Sequence, residues 1–315
     1  MLSGYVHPDY ARSLAEYGMP QELPRCGGWI LKRTIPGTPY HDAMGCYPLF
    51  ACRDWSALKA DLDDLASDLV SVCLVPDPFG QYTLGELREC FPDKFVTFKE
   101  HYVLDSQCDL QKVIKRKTRQ CINAALRHLT VELCPNPMEH LDEWVKTYGY
   151  LVEKHQLSGI HRFSRDSFAV QMLVPGFLLF RAVQNGTTEA MLSWYVCGEV
   201  AYAHLMGISP VGYELGAVYA LFSSSIQYLR DKVRWLDFGG RASKQSTDEG
   251  GMILFKRKWA STTRPAYLCG RIFNHEAYDQ IVRAKDIPET DYFPAYRVGE
   301  FRPASTATHL AEQAH

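Results

Sequence analysis

The chain has 315 residues, of which 46% are hydrophobic and 22% charged, and its formal net charge is -2. That length favours two domains over one, and the composition is that of an ordinary globular protein with enough apolar material for real cores. Near-neutral charge excludes global electrostatic capture of nucleic acid, DNA included, although a local basic patch stays possible.

The opening stretch to residue 25 is rich in tyrosine and turn formers and reads as an irregular lead-in. Trp29 to Arg33 predicts a short strand, and Ile35 to Cys52 reads as loop because of Pro36, Gly37, Pro39, Gly45 and Pro48. Asp54 can cap a helix to Ser67, with Leu58, Leu62 and Leu65 at helical spacing. Leu69 to Val75 is an apolar run, hence a buried strand; Thr83 to Cys90 predicts a short helix and Phe95 to Leu104 another strand.

Leu110 to Leu129 is expected as one helix with the apolar stripe Leu110, Ile114, Cys121, Ala125 and Leu129. Lys112, Lys115, Arg116, Arg119 and Arg127 fall on its other side with no interleaved acid. A solvated face and a phosphate-binding face both fit that run.

Pro135-Asn136-Pro137 is the linker signal of the middle of the chain, so domains are expected at 1–134 and 135–302, with a disordered tail at 303–315. Helices are predicted for Met138 to His155 and Arg165 to Leu173. Strands follow at Phe177 to Val183, Glu189 to Cys197 and Glu199 to Ile208, separated by Asn185-Gly186 and Cys197-Gly198, both hairpin signals. Next come a long helix from Tyr213 to Lys232, a strand from Val233 to Phe238, a helix around Gly251 to Ala260, a strand from Ala266 to Phe273 and a helix from His275 to Ala284.

Cysteines stand at ten positions, none in a CxxC pair or beside a histidine at metal-ligand spacing. No metal site is expected, and the thiols are expected reduced. Met1 to Tyr5 lack a basic region followed by an apolar core, so no secretion signal is read. No apolar run approaches the ~20 residues of a membrane helix, and a cytoplasmic location is expected.

The chemistry concentrates near the end. Trp235-Leu236-Asp237-Phe238-Gly239-Gly240 closes an apolar run on two glycines, and Phe255-Lys256-Arg257-Lys258-Trp259 follows after a polar loop. Glycines at a strand end let backbone approach a second group closely. A lysine between aromatic residues carries its charge into a partly dry place, where it interacts strongly with developing negative charge. That suits acyl transfer, in which a carbonyl oxygen becomes an oxyanion; a surface helix with a snorkelling lysine is the bland alternative. For proton handling the candidates are Asp237 at the strand end, His204 on a strand and Glu249 in the loop; a structural cap, a core histidine and a solvated acid are their alternatives.

Two helices, three antiparallel strands, a long helix, a strand, a helix and a strand is the order of an acetyltransferase-type α/β domain. With the quoted Asp237–Gly240 and Lys256 segments, Trp29-Ile30-Leu31-Lys32-Arg33, Tyr102-Val103-Leu104-Asp105 and Glu199-Val200-Ala201-Tyr202-Ala203-His204, the chain resembles the FemAB-like transferases from about Gly28 to Phe273. The resemblance implies two GNAT-type domains, each a mixed, mostly antiparallel sheet flanked by helices, the first a degenerate copy. It implies transfer of an aminoacyl or acyl group to an amine acceptor, with Lys256 holding charge. The donor is then a co-substrate, aminoacyl-tRNA or acyl-CoA, and no cofactor is permanently bound. Gly239, Gly240, Phe255, Tyr202, Tyr213, Tyr219 and Trp194 are candidates for lining the substrate site, and Lys112, Lys115, Arg116, Arg119 and Lys258 for meeting phosphate or RNA. Coenzyme A users of this type carry a glycine-rich turn before the long helix. Here Ser209 to Ala217 lacks the leading basic or amide residue and places Glu214 where pyrophosphate sits, which favours aminoacyl-tRNA as donor. An acyl-CoA or carrier-protein N-acyltransferase and a catalytically inactive binding module are the other readings. Tyr5, Tyr10, Tyr17, Tyr40 and Tyr47 fit either an acceptor cleft or packing between domains.

Overall fold

The computed structural model describes residues 2–240 and 249–300. Its strands are β1 (Met19–Leu23), β2 (Gly28–Thr34), β3 (His41–Gly45), β4 (Ser71–Leu74), β5 (Lys94–Asp105), β6 (Thr130–Leu133), β7 (Phe177–Gln184), β8 (Thr187–Cys197), β9 (Val200–Ile208), β10 (Trp235–Asp237) and β11 (Thr262–Ile272). The fold is α/β, with mixed and mostly antiparallel strand pairing flanked by helices. Among the described residues no helix is long and apolar enough to cross a membrane.

Two compact units share the chain, and neither is contiguous. The first draws on Met1–Asp9, Phe98–Lys154 and Arg165–Ala266, the second on Tyr10–Thr97, His155–Ser164 and Tyr267–His315. Residues 134 and 135, the expected boundary, lie inside the first unit. The expected tail at 303–315 lies outside the described residues.

In the first unit the strands run in the order β5-β10-β9-β8-β7-β6. β10 pairs antiparallel with β5 and parallel with β9; β6–β7, β7–β8 and β8–β9 are antiparallel, the last two as hairpins. The β7–β8 turn is the expected Asn185-Gly186, with φ of 49° and 80°. One face carries Leu104, Leu236, Trp194, Phe180 and Leu192, buried under the helix Ala217–Leu229 and its neighbour Arg116–Leu126. Strand alternation puts Asp237, His101 and Lys99 on the opposite face.

Two long helices expected from sequence are each broken. The basic segment forms Leu110–Val113 and Arg116–Leu126, with Ile114 and Lys115 extended between them. Asp109 caps the first piece, and Arg119 donates to the carbonyls of Gln111 and Ile114, satisfying oxygens that the break releases. The helix before β10 divides into Pro210–Glu214 and Ala217–Leu229 because Gly216 is left-handed, with φ of 67°.

The second unit orders its strands β1-β2-β3-β4-β11, with β3 and β4 parallel. Its core gathers Ile30, Phe50, Trp55, Leu58, Leu62, Val72, Leu74 and Phe91. Strands β1 and β3 fall in stretches expected as irregular or loop; backbone pairing to β2 decides them, and their own sequences are too short and turn-rich to show it. Arg33 and Arg297 both grip the fully buried Asp42, at 3.2 and 2.9 Å.

Candidate functional site

The first unit assembles a charged cluster where β10 ends. Antiparallel pairing sets Asp237 across from Val103. It continues past the strand, since Phe238 donates to the Tyr102 carbonyl at 2.9 Å and Tyr102 to the Gly239 carbonyl at 3.2 Å. Phe238 and Gly239 thus both stand opposite Tyr102, and Asp237 joins this turn to His101. Gly239 has φ of 70°, a backbone state in which a side chain is strained. A Cβ on Gly240 would stand 2.8 Å from the Glu100 carbonyl oxygen and 2.9 Å from Lys99 Cδ, so this turn needs both glycines.

Asp237 is 1% exposed, and both its oxygens are used. Oδ1 accepts the Gly239 amide at 2.7 Å, and Oδ2 lies 2.7 Å from His101 Nδ1. His101 is 3% exposed, and among the described residues its Nε2 has no hydrogen-bond partner. Lys256, in the last turn of the helix Glu249–Arg257, donates from Nζ to the Gly240 carbonyl at 2.6 Å. Burial lowers its pKa to about 8, helped by Lys99 and opposed by Asp237. Burial lowers Lys99 as well, again against Asp237. The cluster thus holds two lysines against one carboxylate.

One residue on from three members of the cluster, the chain lines an open groove. Glu100, Tyr102, Arg257, Ala260, Ser261, Thr262 and Thr263 enclose about 520 Å³. The Arg257 guanidinium lies 5.9 Å over the Tyr102 ring.

The structure brings Lys256, Asp237, Gly239 and Gly240 together and leaves other expected residues elsewhere. His204 is held between Tyr5 and Gln171, with ring nitrogens 3.1 Å from each partner, and burial lowers its pKa to about 3. A neutral ring with one donor and one acceptor matches that placement. Tyr202 pairs with Asp237 in the β9–β10 register, and its ring meets Tyr5 edge-on. Trp194 is fully buried in the core. Phe255 and Tyr219 pack into an aromatic cluster with Phe222 and Trp259. Tyr213 is exposed, under the Lys154 ammonium at 3.7 Å.

Lys112, Lys115, Arg116 and Arg119 are exposed, and Lys258 donates to the Tyr219 hydroxyl at 2.8 Å. The side chain of Glu249 lies outside the described residues. Of the early tyrosines, Tyr5 and Tyr10 are buried, Tyr10 donating to the Tyr47 carbonyl, and Tyr17 donates to the Arg162 carbonyl at 2.7 Å. Tyr47 packs edge-on against His161, and Tyr40 is exposed. His101 and Lys99 were not singled out from sequence. Their alternation on a strand preceding Tyr102 is the one local signal, and it carries no chemistry until β5 meets β10.

The turn before the helix Ala217–Leu229 closes on itself. Gly212 donates to Ser209 Oγ, Tyr213 to the Ser209 carbonyl, Leu215 to Val211 and Gly216 to Tyr213. Those amides are committed to internal acceptors and do not form an open pyrophosphate cradle.

No protein-family model and no curated protein matches the chain. Solved structures do. FemX superposes with a TM-score of 0.66 at 14% identity, over 87% of this chain and 93% of FemX. The C-terminal domain of a putative lysylphosphatidylglycerol synthetase from Agrobacterium fabrum gives 0.59 at 16%, over 88% and 93% of the two chains. L-PGS from Bacillus licheniformis gives 0.58 at 14%, over 90% and 98%. The chain has the FemX fold.

Proposed function

We propose that the chain is an aminoacyltransferase that moves an aminoacyl group from aminoacyl-tRNA to an amine and forms an amide. The observation that carries this reading is the Lys256 ammonium fixed at the Gly239–Gly240 turn, one residue before Arg257, which lines an open groove. When an amine attacks an ester carbonyl, negative charge gathers on the carbonyl oxygen. An ammonium already desolvated and oriented stabilises that charge without reorganising. The Arg257–Tyr102 side of the groove is suited to a polar acceptor or the end of the donor. The exposed run Lys112, Lys115, Arg116 and Arg119 is suited to RNA backbone.

Two further points support the reading. The folds of FemX and of lysylphosphatidylglycerol synthetase are shared over most of the chain. The committed amides of Ser209 to Gly216 disfavour coenzyme A as donor.

The test is to incubate the purified protein with radiolabelled aminoacyl-tRNA and, separately, acyl-CoA, each with a panel of simple amines and cell extract. Amine-dependent loss of label from aminoacyl-tRNA, abolished in K256A, is the expected result. Label lost only from acyl-CoA makes the protein an N-acyltransferase of the same fold, and no loss from either makes it a binding module.

A further inference from the structure

We propose that His101 is the catalytic base, the group that takes the proton from the attacking amine, and that Asp237 is the positioning residue that keeps it in the productive tautomer. The inference rests on the aminoacyl-transfer reading above and adds to it the acceptor for the proton.

Asp237 is a buried carboxylate, and a carboxylate only accepts. Its Oδ2 lies 2.7 Å from His101 Nδ1, so the imidazole hydrogen sits on Nδ1. A neutral ring has one N–H, which leaves a bare lone pair on Nε2. That atom is buried without any hydrogen-bond partner among the described residues. Unpaired buried polar atoms are uncommon in native proteins and need a reason. A doubly protonated ring would be worse placed, with a buried N–H and no acceptor.

The other charged groups of the cluster are poor takers of a proton. Asp237 has both oxygens engaged, by Gly239 and by His101. Lys256 is itself donating to the Gly240 carbonyl. Lys99 is the competitor, because burial lowers its pKa, yet among the described residues Asp237 acts on it only through charge, with no hydrogen bond like the one it makes to His101. Asp237 ties His101 to the glycine turn, since its other oxygen accepts the Gly239 amide, and that glycine presents no side chain there.

The step balances without a further reactant. The amine lone pair forms the C–N bond at the ester carbonyl carbon, and the carbonyl π pair moves to oxygen, where Lys256 meets it. The nitrogen of the adduct gives one proton to Nε2, and Asp237 offsets the imidazolium charge. The C–O bond to the ribose then breaks with its electron pair on the ribose oxygen, which takes the proton back from Nε2. Ester and amine become amide and alcohol, and the dyad returns to its starting state.

Two measurements on the full-length chain decide it. Ring 15N NMR at neutral pH reads the tautomer without donor or acceptor; a hydrogen on Nδ1 and a bare Nε2 is expected, and a hydrogen on Nε2 overturns the proposal. In transfer from radiolabelled aminoacyl-tRNA to glycinamide, H101A is expected to lose about 100-fold in kcat with KM for the donor little changed. Added imidazole is expected to restore H101A but not K256A. Should H101A fail to fold, H101Q carries the same kinetic expectation. Unchanged kcat in H101A, loss without imidazole rescue, or loss in K99M in place of H101A overturns the base assignment. If the wild type transfers nothing from aminoacyl-tRNA, the transfer reading fails, and the tautomer measurement still decides whether the dyad exists.

Discussion

Lys256 Nζ and the Gly240 carbonyl oxygen are 2.6 Å apart, so a side chain from a helix is pinned by the backbone of a turn that follows a strand 16 residues earlier in sequence. One of the ammonium's three donors is thereby used, and among the described residues no hydrogen bond takes the other two. The same contact ties the turn to the charge, because moving Gly240 moves the ammonium.

Transfer should fall by about 100- to 1,000-fold in K256A, the range for losing one oxyanion donor. In the wild type the rate should decline above pH about 8, where Lys256 loses its proton. K256R keeps its charge at all working pH, so its residual rate should show no such decline. Initial rates across pH for the three proteins check this.

The same shift acts on stability with the opposite sign. Lys256 titrates at about 8 in the folded chain against 10.5 unfolded, so between those values the unfolded chain holds the extra proton. Its contribution to stability therefore rises with pH across that window. K256M should flatten this rise and be more stable than wild type at pH 7 by on the order of 1 kcal/mol, at the cost of activity. Urea melts at pH 7 and pH 10 read both effects.

His204 behaves in mirror fashion at acid pH. Its folded value of about 3 lies below the ordinary 6.5, so below pH 6.5 the unfolded chain binds a proton that the folded chain refuses. Stability from this group is present above 6.5 and drains away as pH falls toward 3. H204L should lose that acid dependence while keeping the pH–rate profile of transfer near and above neutrality. Thermal melts at pH 5 and pH 7.5, with transfer rates, separate the two.

The glycine turn should tolerate no side chain. G239A places an alanine at φ of 70°, a strain of ~1–2 kcal/mol, with its Cβ 3.4 Å from Lys256 Nζ. G240A meets the Glu100 carbonyl at 2.8 Å and should shift the turn outright. Both should lower kcat far more than they lower the melting temperature.

Trp194 offers the contrasting case. W194A should destabilise by ~3–5 kcal/mol, as a large core truncation does, and W194F far less. Normal specific activity in folded W194F would agree with a purely structural residue; calorimetry with an active-fraction assay measures it.

Local signals accounted for much of the described chain. Helix His275–Ala284 and helix Arg165–Leu173 fall where their periodicity puts them, and Thr83 and Glu86 form the capping box that their spacing suggests. The β7–β8 hairpin follows from Asn185-Gly186, because those residues accept the positive φ the turn demands. Lys256 and the two glycines stand out in the sequence for the same reason: backbone freedom and a lone cation among aromatics are written in neighbouring residues.

Only the tertiary structure decided the rest, since the deciding partner is far away in sequence. Strand alternation leaves open which face a helix will cover, so the burial of Trp194 under Ala217–Leu229 could not be read from β8 itself. β1 and β3 exist because β2 pairs with both. His101 acquires chemical meaning from Asp237, 136 positions later, which antiparallel pairing of β5 with β10 sets within 2.7 Å. Spacing along the chain reports the short-range geometry of helices and turns, whereas proximity across a sheet is a property of the folded backbone alone.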